Sequence, residues 1–166
     1  MPSFGMKVWR LGAAFVFMSA VILGLPSLVD AAGPSESDEI RQRVFDYARS
    51  VDAADSTLAA QLWLDSPDVS FIHPLGHEHG FKQIQQNVYQ KLMGETFSER
   101  KLSPHDISVH IFRNCAWVEF YWDFSAKFRK DGSAVTTHGR ETQVYWKTKQ
   151  GWRLVHVHYS GMPATD

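Results

Sequence analysis

The chain has 166 residues, one cysteine and a formal net charge of −1, with 17 basic against 18 acidic side chains. That length suits a single domain, and the hydrophobic fraction of 44% indicates a globular fold. The balanced charge argues against a nucleic-acid partner, because nucleic acid binds to a basic face. A single cysteine excludes both an internal disulfide and a cysteine-based zinc site.

The first 31 residues have the order of a secretory signal. Lys7 and Arg10 precede an apolar run over residues 11–25, and small residues end the segment at Ala31. We predict a signal peptide over residues 1–31 and a periplasmic or secreted mature chain that has no membrane contact after cleavage. The apolar run is short for crossing a bilayer, so an uncleaved anchor is the alternative interpretation.

Helices are predicted first along the mature chain. Residues 32–38 form a polar lead-in with candidate helix N-caps. The spacing of apolar residues then predicts three helices, over about 40–53, 56–63 and 81–94. A short strand is predicted over 69–72, and it leads into a loop over 73–80.

From Ser103 onward the apolar period becomes two, which predicts a four-stranded antiparallel meander. The longest predicted strand alternates between an apolar face, which includes Phe120 and Trp122, and a polar face. Asp131 and Gly132 predict the hairpin turn that follows it. Helices followed by a meander predict an α+β fold.

Polar side chains on this sheet form the candidate ligand site. The predicted ligand-binding residues are Glu119, Tyr121, His138, His156 and His158, with Asp123 beside them. We expect helices to close over this face and make it the wall of a pocket, with a solvated face crossed by ion pairs as the alternative. A one-residue slip in strand register would exchange cross-strand partners, so the sequence leaves open whether Asp123 faces Arg140 or Glu141.

His73 is the candidate catalytic base, because an imidazole titrates near neutral pH and can accept a proton from a carbon acid or a hydroxyl. A carboxylate would have to orient the ring, and Asp123 or Glu119 is expected to do so. The alternative is that His73 only caps the loop before Pro74.

A metal site is a second hypothesis for the histidines. His77, Glu78 and His79 share a loop with His73, and a His-x-His pair occurs in the last strand. The loop spacing matches no familiar zinc site, so we expect hydrogen-bonding histidines, no metal and no cofactor. Cys115 is predicted to be a small buried residue.

The closing segment carries the sharpest resemblance to a known family. Residues 152–163 are similar to the W-x-x-V-H-x-H-x-S-G-x-P ending of the association domain of calcium/calmodulin-dependent protein kinase. Residues 141–146 resemble the strand before that ending, and residues 71–81 resemble the loop that enters the third helix of the nuclear transport factor 2 and ketosteroid isomerase superfamily. Over residues 39–163 the chain looks most like the SnoaL-like group of that superfamily.

The resemblance implies a cone-shaped fold in which N-terminal helices pack on a strongly curved, mostly antiparallel sheet. It also implies a homodimer or a larger homo-oligomer. The catalytic residues of ketosteroid isomerases transfer poorly: their base is replaced by His73, and their first-helix tyrosine would fall near Ala48, with Tyr47 one position away and expected on another face. Their second acid would lie around 141–143, so steroid isomerisation is not expected.

Three functions are consistent with these residues and with the resemblance. The leading interpretation is an exported, homodimeric domain that encloses a small, moderately polar organic ligand. The second is an isomerase, cyclase or dehydratase that uses a His–carboxylate pair in the same pocket, for which scytalone dehydratase is an analogy. The third is an assembly module in which an outer apolar sheet face forms a dimer or a ring.

Overall fold

The computed structural model describes residues 1–2 and 33–162. The predicted signal peptide over residues 1–31 therefore lies, apart from its first two residues, outside the described part of the chain. Among the helices in the described part, none has the length and apolar character that crossing a bilayer requires.

The three predicted helices are present. They are α1 (Glu36–Ala53), α2 (Ser56–Leu62) and α3 (Gly80–Gln83), which continues as a π-helical segment (Ile84–Glu95). A capping box starts α1: the Ser35 hydroxyl accepts from the Asp38 backbone N–H, and the Asp38 carboxylate accepts from the Ser35 backbone N–H. The Asp55 carboxylate accepts two backbone N–H bonds and starts α2 in the same way.

Six strands form one mixed sheet that is curled but unclosed. They are β1 (Ser70–His73), β2 (Gly76–His79), β3 (Phe97–Phe112), β4 (Cys115–Phe128), β5 (Ala134–Thr148) and β6 (Gly151–Gly161). Their spatial order is β2-β1-β6-β5-β4-β3, and every neighbouring pair is antiparallel except β1 with β6. The predicted α+β cone with helices on a mostly antiparallel sheet is confirmed.

The predicted loop over 73–80 is instead a hairpin, because β2 pairs with β1 in the register Phe71 opposite Glu78. The turn is tight, with only Pro74 and Leu75 between the paired residues His73 and Gly76, and the paired segment is only four residues long. Such a short strand gives too little alternation for a period to be recognised.

The alternation in β4 decides which face of the sheet meets the helices. Phe120 and Trp122 are buried, whereas Glu119, Tyr121 and Asp123 are exposed. We expected the polar face to be enclosed, and the structure shows the reverse. The helices cover the apolar face, because removing Phe120 and Trp122 from water is favourable, whereas removing Glu119 and Asp123 from water is costly.

Side chains of α1 also hydrogen-bond to backbone groups of the edge strand β3. The Arg41 guanidinium donates to the carbonyl of Ile107 at 2.5 Å, and the Asp52 carboxylate accepts from the backbone N–H of Leu102 at 2.6 Å. These side chains occupy backbone groups that an edge strand otherwise leaves open to other chains. These bonds hold α1 against the inner face of the sheet, the face that carries Phe120 and Trp122.

Candidate functional site

The helices and the inner face of the sheet line a half-open cavity of about 210 Å³, with the exposed side chain of Leu75 at its rim. α1 contributes Tyr47 and Val51 to its wall, the π-helical segment contributes Val88, and β4 contributes Trp122 and Phe124. Most of the lining is aliphatic or aromatic. Because an apolar cavity of about 150 Å³ can hold benzene, this one is large enough for a single ring with substituents.

A buried carboxyl group interrupts this apolar wall. Glu141, only 5% exposed, accepts a hydrogen bond at 2.7 Å from the side-chain amide of Gln143, whose own carbonyl accepts from the Tyr145 hydroxyl. Burial raises the pKa of Glu141 to about 8, although hydrogen bonds from Gln143 and Tyr47 favour the ionised form. At neutral pH the group is therefore mostly a carboxylic acid, which can donate a hydrogen bond.

The tyrosines around Glu141 stay neutral as well. Burial raises the pKa of Tyr47 well above its ordinary value, and the nearby Glu141 raises it further. Burial also raises the pKa of Tyr89 to about 12, although its hydroxyl lies 2.9 Å from that of Ser50. Tyr47, which we expected on another face of α1, lies in the cavity wall next to Glu141.

The position of Trp122 depends on a glycine in the next strand. Gly139 pairs with Trp122, and a Cβ added at Gly139 would lie 2.5 Å from Cζ2 of the indole and 2.1 Å from the carbonyl oxygen of Ser160. The indole meets the ring of Tyr159 edge-on, with centroids 5.6 Å apart. Within the described residues, its Nε1 is buried without a hydrogen-bond partner.

His73 lies beside this cavity, packed against two of its lining residues. Its ring is 5.4 Å from that of Phe71 and 6.2 Å from that of Tyr159, centroid to centroid. The side chain is 6% exposed, and neither ring nitrogen has a hydrogen-bond partner in the described residues. Oε1 of Glu78 is 3.5 Å from Nε2, and Oε2 of Glu78 accepts from the Asn87 amide at 2.7 Å.

The carboxylate beside His73 is therefore Glu78 and not the predicted Asp123. Asp123 lies on the outer face, where its Oδ2 is 3.6 Å from Nε2 of His105. Across the sheet it pairs with His138, so neither Arg140 nor Glu141 is its partner. The sequence signal for Glu78 is its place between His77 and His79. In a strand its side chain points away from theirs, to the face that also carries His73.

Three of the predicted ligand-binding residues lie together on the outer face. Glu119, Tyr121 and His158 border a surface hollow of about 490 Å³, with Arg140 between them. The Glu119 carboxylate is 3.8 Å from Nε2 of His110. This hollow is on the opposite side of the sheet from the interior cavity, and a ligand-binding role for these residues stays a prediction.

The remaining predicted residues, His138 and His156, do not join that hollow. His138 is exposed, whereas Nδ1 of His156 is 2.7 Å from the Ser70 hydroxyl. Partial burial lowers the pKa of His156, and the charges of His158 and His77 lower it further.

The described residues contain no group of three or more histidine, cysteine or acidic side chains placed to hold a metal ion. His77 and His79 lie close together on the outer face, with ring centroids 3.9 Å apart, while Glu78 between them is buried. Cys115, which we predicted to be buried, is half-buried at the start of β4.

Comparison with known proteins places this geometry in a family. Residues 40–165 match the profile of the SnoaL-like domain. A nuclear transport factor 2-like superfamily protein from Salmonella enterica serovar Typhimurium LT2 is 46% identical, with a TM-score of 0.78 over 79% of this chain and 94% of that one. Among curated proteins, none has significant similarity to this chain.

Two more distant structures share the fold. A protein from Novosphingobium aromaticivorans, provisionally named scytalone dehydratase, is 17% identical, with a TM-score of 0.67 over 79% of this chain and 87% of that one. A protein from Xanthomonas campestris, provisionally named calcium/calmodulin-dependent protein kinase II association domain, is 18% identical, with a TM-score of 0.66 over 81% of this chain and 93% of that one.

Proposed function

The chain belongs to the family of SnoaL-like domains, and on this premise we propose that it is an exported, homodimeric domain that binds a small organic molecule in its interior cavity. The observation that carries the proposal is the half-open apolar cavity with the buried Glu141 carboxyl group in its wall. The ligand is accordingly a compact molecule, mostly apolar, with one polar group.

The chemistry of the cavity wall supports a ligand site. Apolar side chains that face an open cavity keep an unfavourable contact with water, which a ligand removes when it covers them. The same wall holds a buried carboxyl group that costs additional free energy of desolvation. Both costs are offset when a ligand fills the space and hydrogen-bonds to the carboxyl group.

Titration of the purified protein with indane, a compact two-ring hydrocarbon, tests the cavity. We expect saturable binding by calorimetry that Thr137→Trp abolishes, because Thr137 lines the cavity and an indole there would fill it. The control is Thr136→Trp, since the preceding residue in the same strand points to the other face and lies outside the lining. Absence of saturable binding to the wild type, or equal binding by both variants, would contradict the proposal.

Export is supported by the order of basic, apolar and small residues over 1–31. Expression of the full chain in a bacterial host should yield a periplasmic or secreted product whose first residue is Ala32. A product that keeps residue 1 and sediments with the membrane would instead support an uncleaved anchor.

A second candidate function is favoured by one specific observation, the buried His73 with Glu78 at 3.5 Å. In this role His73 is a general base, Glu78 orients its ring, and the reaction is an isomerisation, cyclisation or dehydration. A direct test is deuterium exchange at the carbon next to the carbonyl of 1-indanone in D₂O, followed by NMR. We expect exchange at least about ten times slower with His73→Ala than with the wild type, in line with the usual contribution of a general base. Equal rates would dismiss His73 as the base.

A further inference from the structure

The hydrogen bonds around Glu141 are directed towards its carboxyl group. The Tyr145 hydroxyl donates to the side-chain carbonyl of Gln143, and the Gln143 amide in turn donates to Oε1 of Glu141 at 2.7 Å. An ionised carboxylate is an acceptor at both oxygens, whereas a protonated carboxyl group keeps an O–H that has to donate. This chain of donors therefore suits the ionised form of Glu141.

The ionised form has no charged partner within the described residues. The titratable side chains that face Glu141 are tyrosines, namely Tyr47 on α1, Tyr89 on the π-helical segment, Tyr145 on β5 and Tyr159 on β6. Burial raises the pKa of each, so all four are uncharged at neutral pH. No lysine, arginine or histidine is among the lining residues of the cavity. The protein thus supplies hydrogen bonds to the carboxylate without the cation that a buried carboxylate needs.

The rest of the cavity wall suits an organic cation. Seven of its sixteen lining residues are aromatic, among them Tyr47 and Tyr159, which also face Glu141. The face of an aromatic ring attracts an ammonium group electrostatically, and this attraction grows when water is excluded. Glu141 lines the same cavity, so its carboxyl group and the aromatic rings border one space.

We infer that the ligand is a compact organic amine, bound as its ammonium ion with an N–H donating to the Glu141 carboxylate. This inference rests on the proposed function, because it names the chemical class that the same cavity binds. On binding, the O–H bond of the Glu141 acid breaks, its proton passes to the solvent, and the ammonium ion becomes the partner of the carboxylate. The hydrocarbon part of the ligand covers the apolar wall.

Three probes with the same two-ring skeleton separate the chemistries: 1-aminoindane, indane and 1-indanone. By calorimetry on the purified protein at pH 7, we expect 1-aminoindane to bind at least about ten-fold more tightly than indane, the scale of a hydrogen bond to a charged group. 1-Indanone tests the opposite role of Glu141, donation from the neutral acid, and should bind less tightly than 1-aminoindane.

Glu141→Gln keeps the size of the side chain and removes its charge. The preference for 1-aminoindane over indane should fall to within about two-fold in this variant, because the amide forms no ion pair. The matched control is Glu39→Gln, which removes an exposed acid in the first turn of α1, outside the cavity lining. It should keep the preference of the wild type. An equal loss in both variants would trace the preference to the net charge of the protein and overturn the inference.

A proton count on the wild type removes the dependence on a variant that could fold poorly. Calorimetry of 1-aminoindane at pH 7, in two buffers of different ionisation enthalpy, should show release of close to one proton per molecule bound. Glu141 is the source of that proton, since its pKa of about 8 keeps it mostly protonated beforehand. Indane should release none.

The outcomes distinguish this inference from the proposed function. Binding of 1-aminoindane without proton release, equal affinities for 1-aminoindane and indane, or tighter binding of 1-indanone than of 1-aminoindane would overturn the inference and leave the cavity's binding function standing. Failure of all three probes to bind would overturn the two together.

Discussion

Glu141 shows how burial alone changes the chemistry of a residue. An exposed glutamate is a charged acceptor at neutral pH, whereas the enclosed Glu141, with its pKa raised to about 8, is mostly an uncharged donor. Gln143 donates to it at 2.7 Å and Tyr47 also hydrogen-bonds to it, but these contacts do not outweigh desolvation. The residue therefore couples the protonation of the cavity wall to the stability of the fold.

This coupling predicts that raising the pH from 4.5 to about 8 destabilises the protein. Between pH 4.5 and pH 8 the folded state keeps a proton on Glu141 that the unfolded state releases, so the stabilisation is complete below pH 4.5 and lost above about pH 8. The contribution to the free energy of unfolding should fall by at most about 1.4 kcal/mol per pH unit in that window. Urea unfolding of the wild type and of Glu141→Gln across this range measures it as the difference between their slopes.

The control for that experiment is Glu119→Gln, on the exposed outer face of β4. Its unfolding free energy should follow that of the wild type at every pH. Parallel pH dependence of Glu141→Gln and the wild type would show that the buried carboxyl group does not titrate as described.

At the scale of the elements, the contact between β4 and β5 depends on a missing side chain. Gly139 leaves room for the Trp122 indole, and a methyl group there would overlap both the indole and the backbone of β6. We predict that Gly139→Ala lowers the free energy of unfolding by about 2–3 kcal/mol, the usual cost of overpacking, as measured by urea denaturation.

The neighbouring strand provides a matched control for this substitution. Gly161 lies directly across from Gly139 in β6, and an added Cβ there meets nothing within 4 Å. Gly161→Ala should change the unfolding free energy by less than about 0.5 kcal/mol. If both alanine variants were equally stable, the close packing of Trp122 on β5 would be refuted.

The elements themselves follow well from hydrophobic periodicity, because long regular segments provide many repeats. The alternation in β4 is an example: its two faces are read correctly residue by residue. Shorter signals fail for physical reasons. The four-residue β2 offers too few alternations, and the few apolar positions over 81–94 do not distinguish the π-helical segment from an ordinary α-helix.

Which face of the sheet is enclosed is a property of the whole molecule, and there the sequence misleads. A cluster such as Glu119, Tyr121 and His158 resembles the wall of a polar site, yet the helices have to cover the apolar face. The residues of the interior cavity look like ordinary core in the sequence. Tyr47 and Glu141 are far apart along the chain, and only the packing of α1 against the sheet brings them together.

The outer face of the sheet is also where we propose that two copies meet. It exposes the aromatic side chains of Phe112, Trp117, Tyr121 and Trp146, and clustered exposed aromatics are typical of contact surfaces. We predict that Trp117→Lys shifts a dimer to a monomer in analytical ultracentrifugation, since a charge in the middle of that contact would lose its hydration.

The control for the assembly prediction is Phe45→Lys. Phe45 lies on α1 and is 44% exposed, close to the 40% of Trp117, so it tests a charge at an equally exposed aromatic residue away from the sheet. It should leave the dimer intact. A wild type that is already monomeric would refute the dimer, and a ring of many subunits would favour the assembly module over the ligand-binding domain.

A crystal structure of the protein saturated with 1-indanone tests most directly whether the interior cavity binds the ligand. We predict density for the ring between Val88 and Phe124, within the lining of the interior cavity. Density in the outer hollow beside Arg140 and Tyr121, with the interior cavity empty, would contradict ligand binding in the interior.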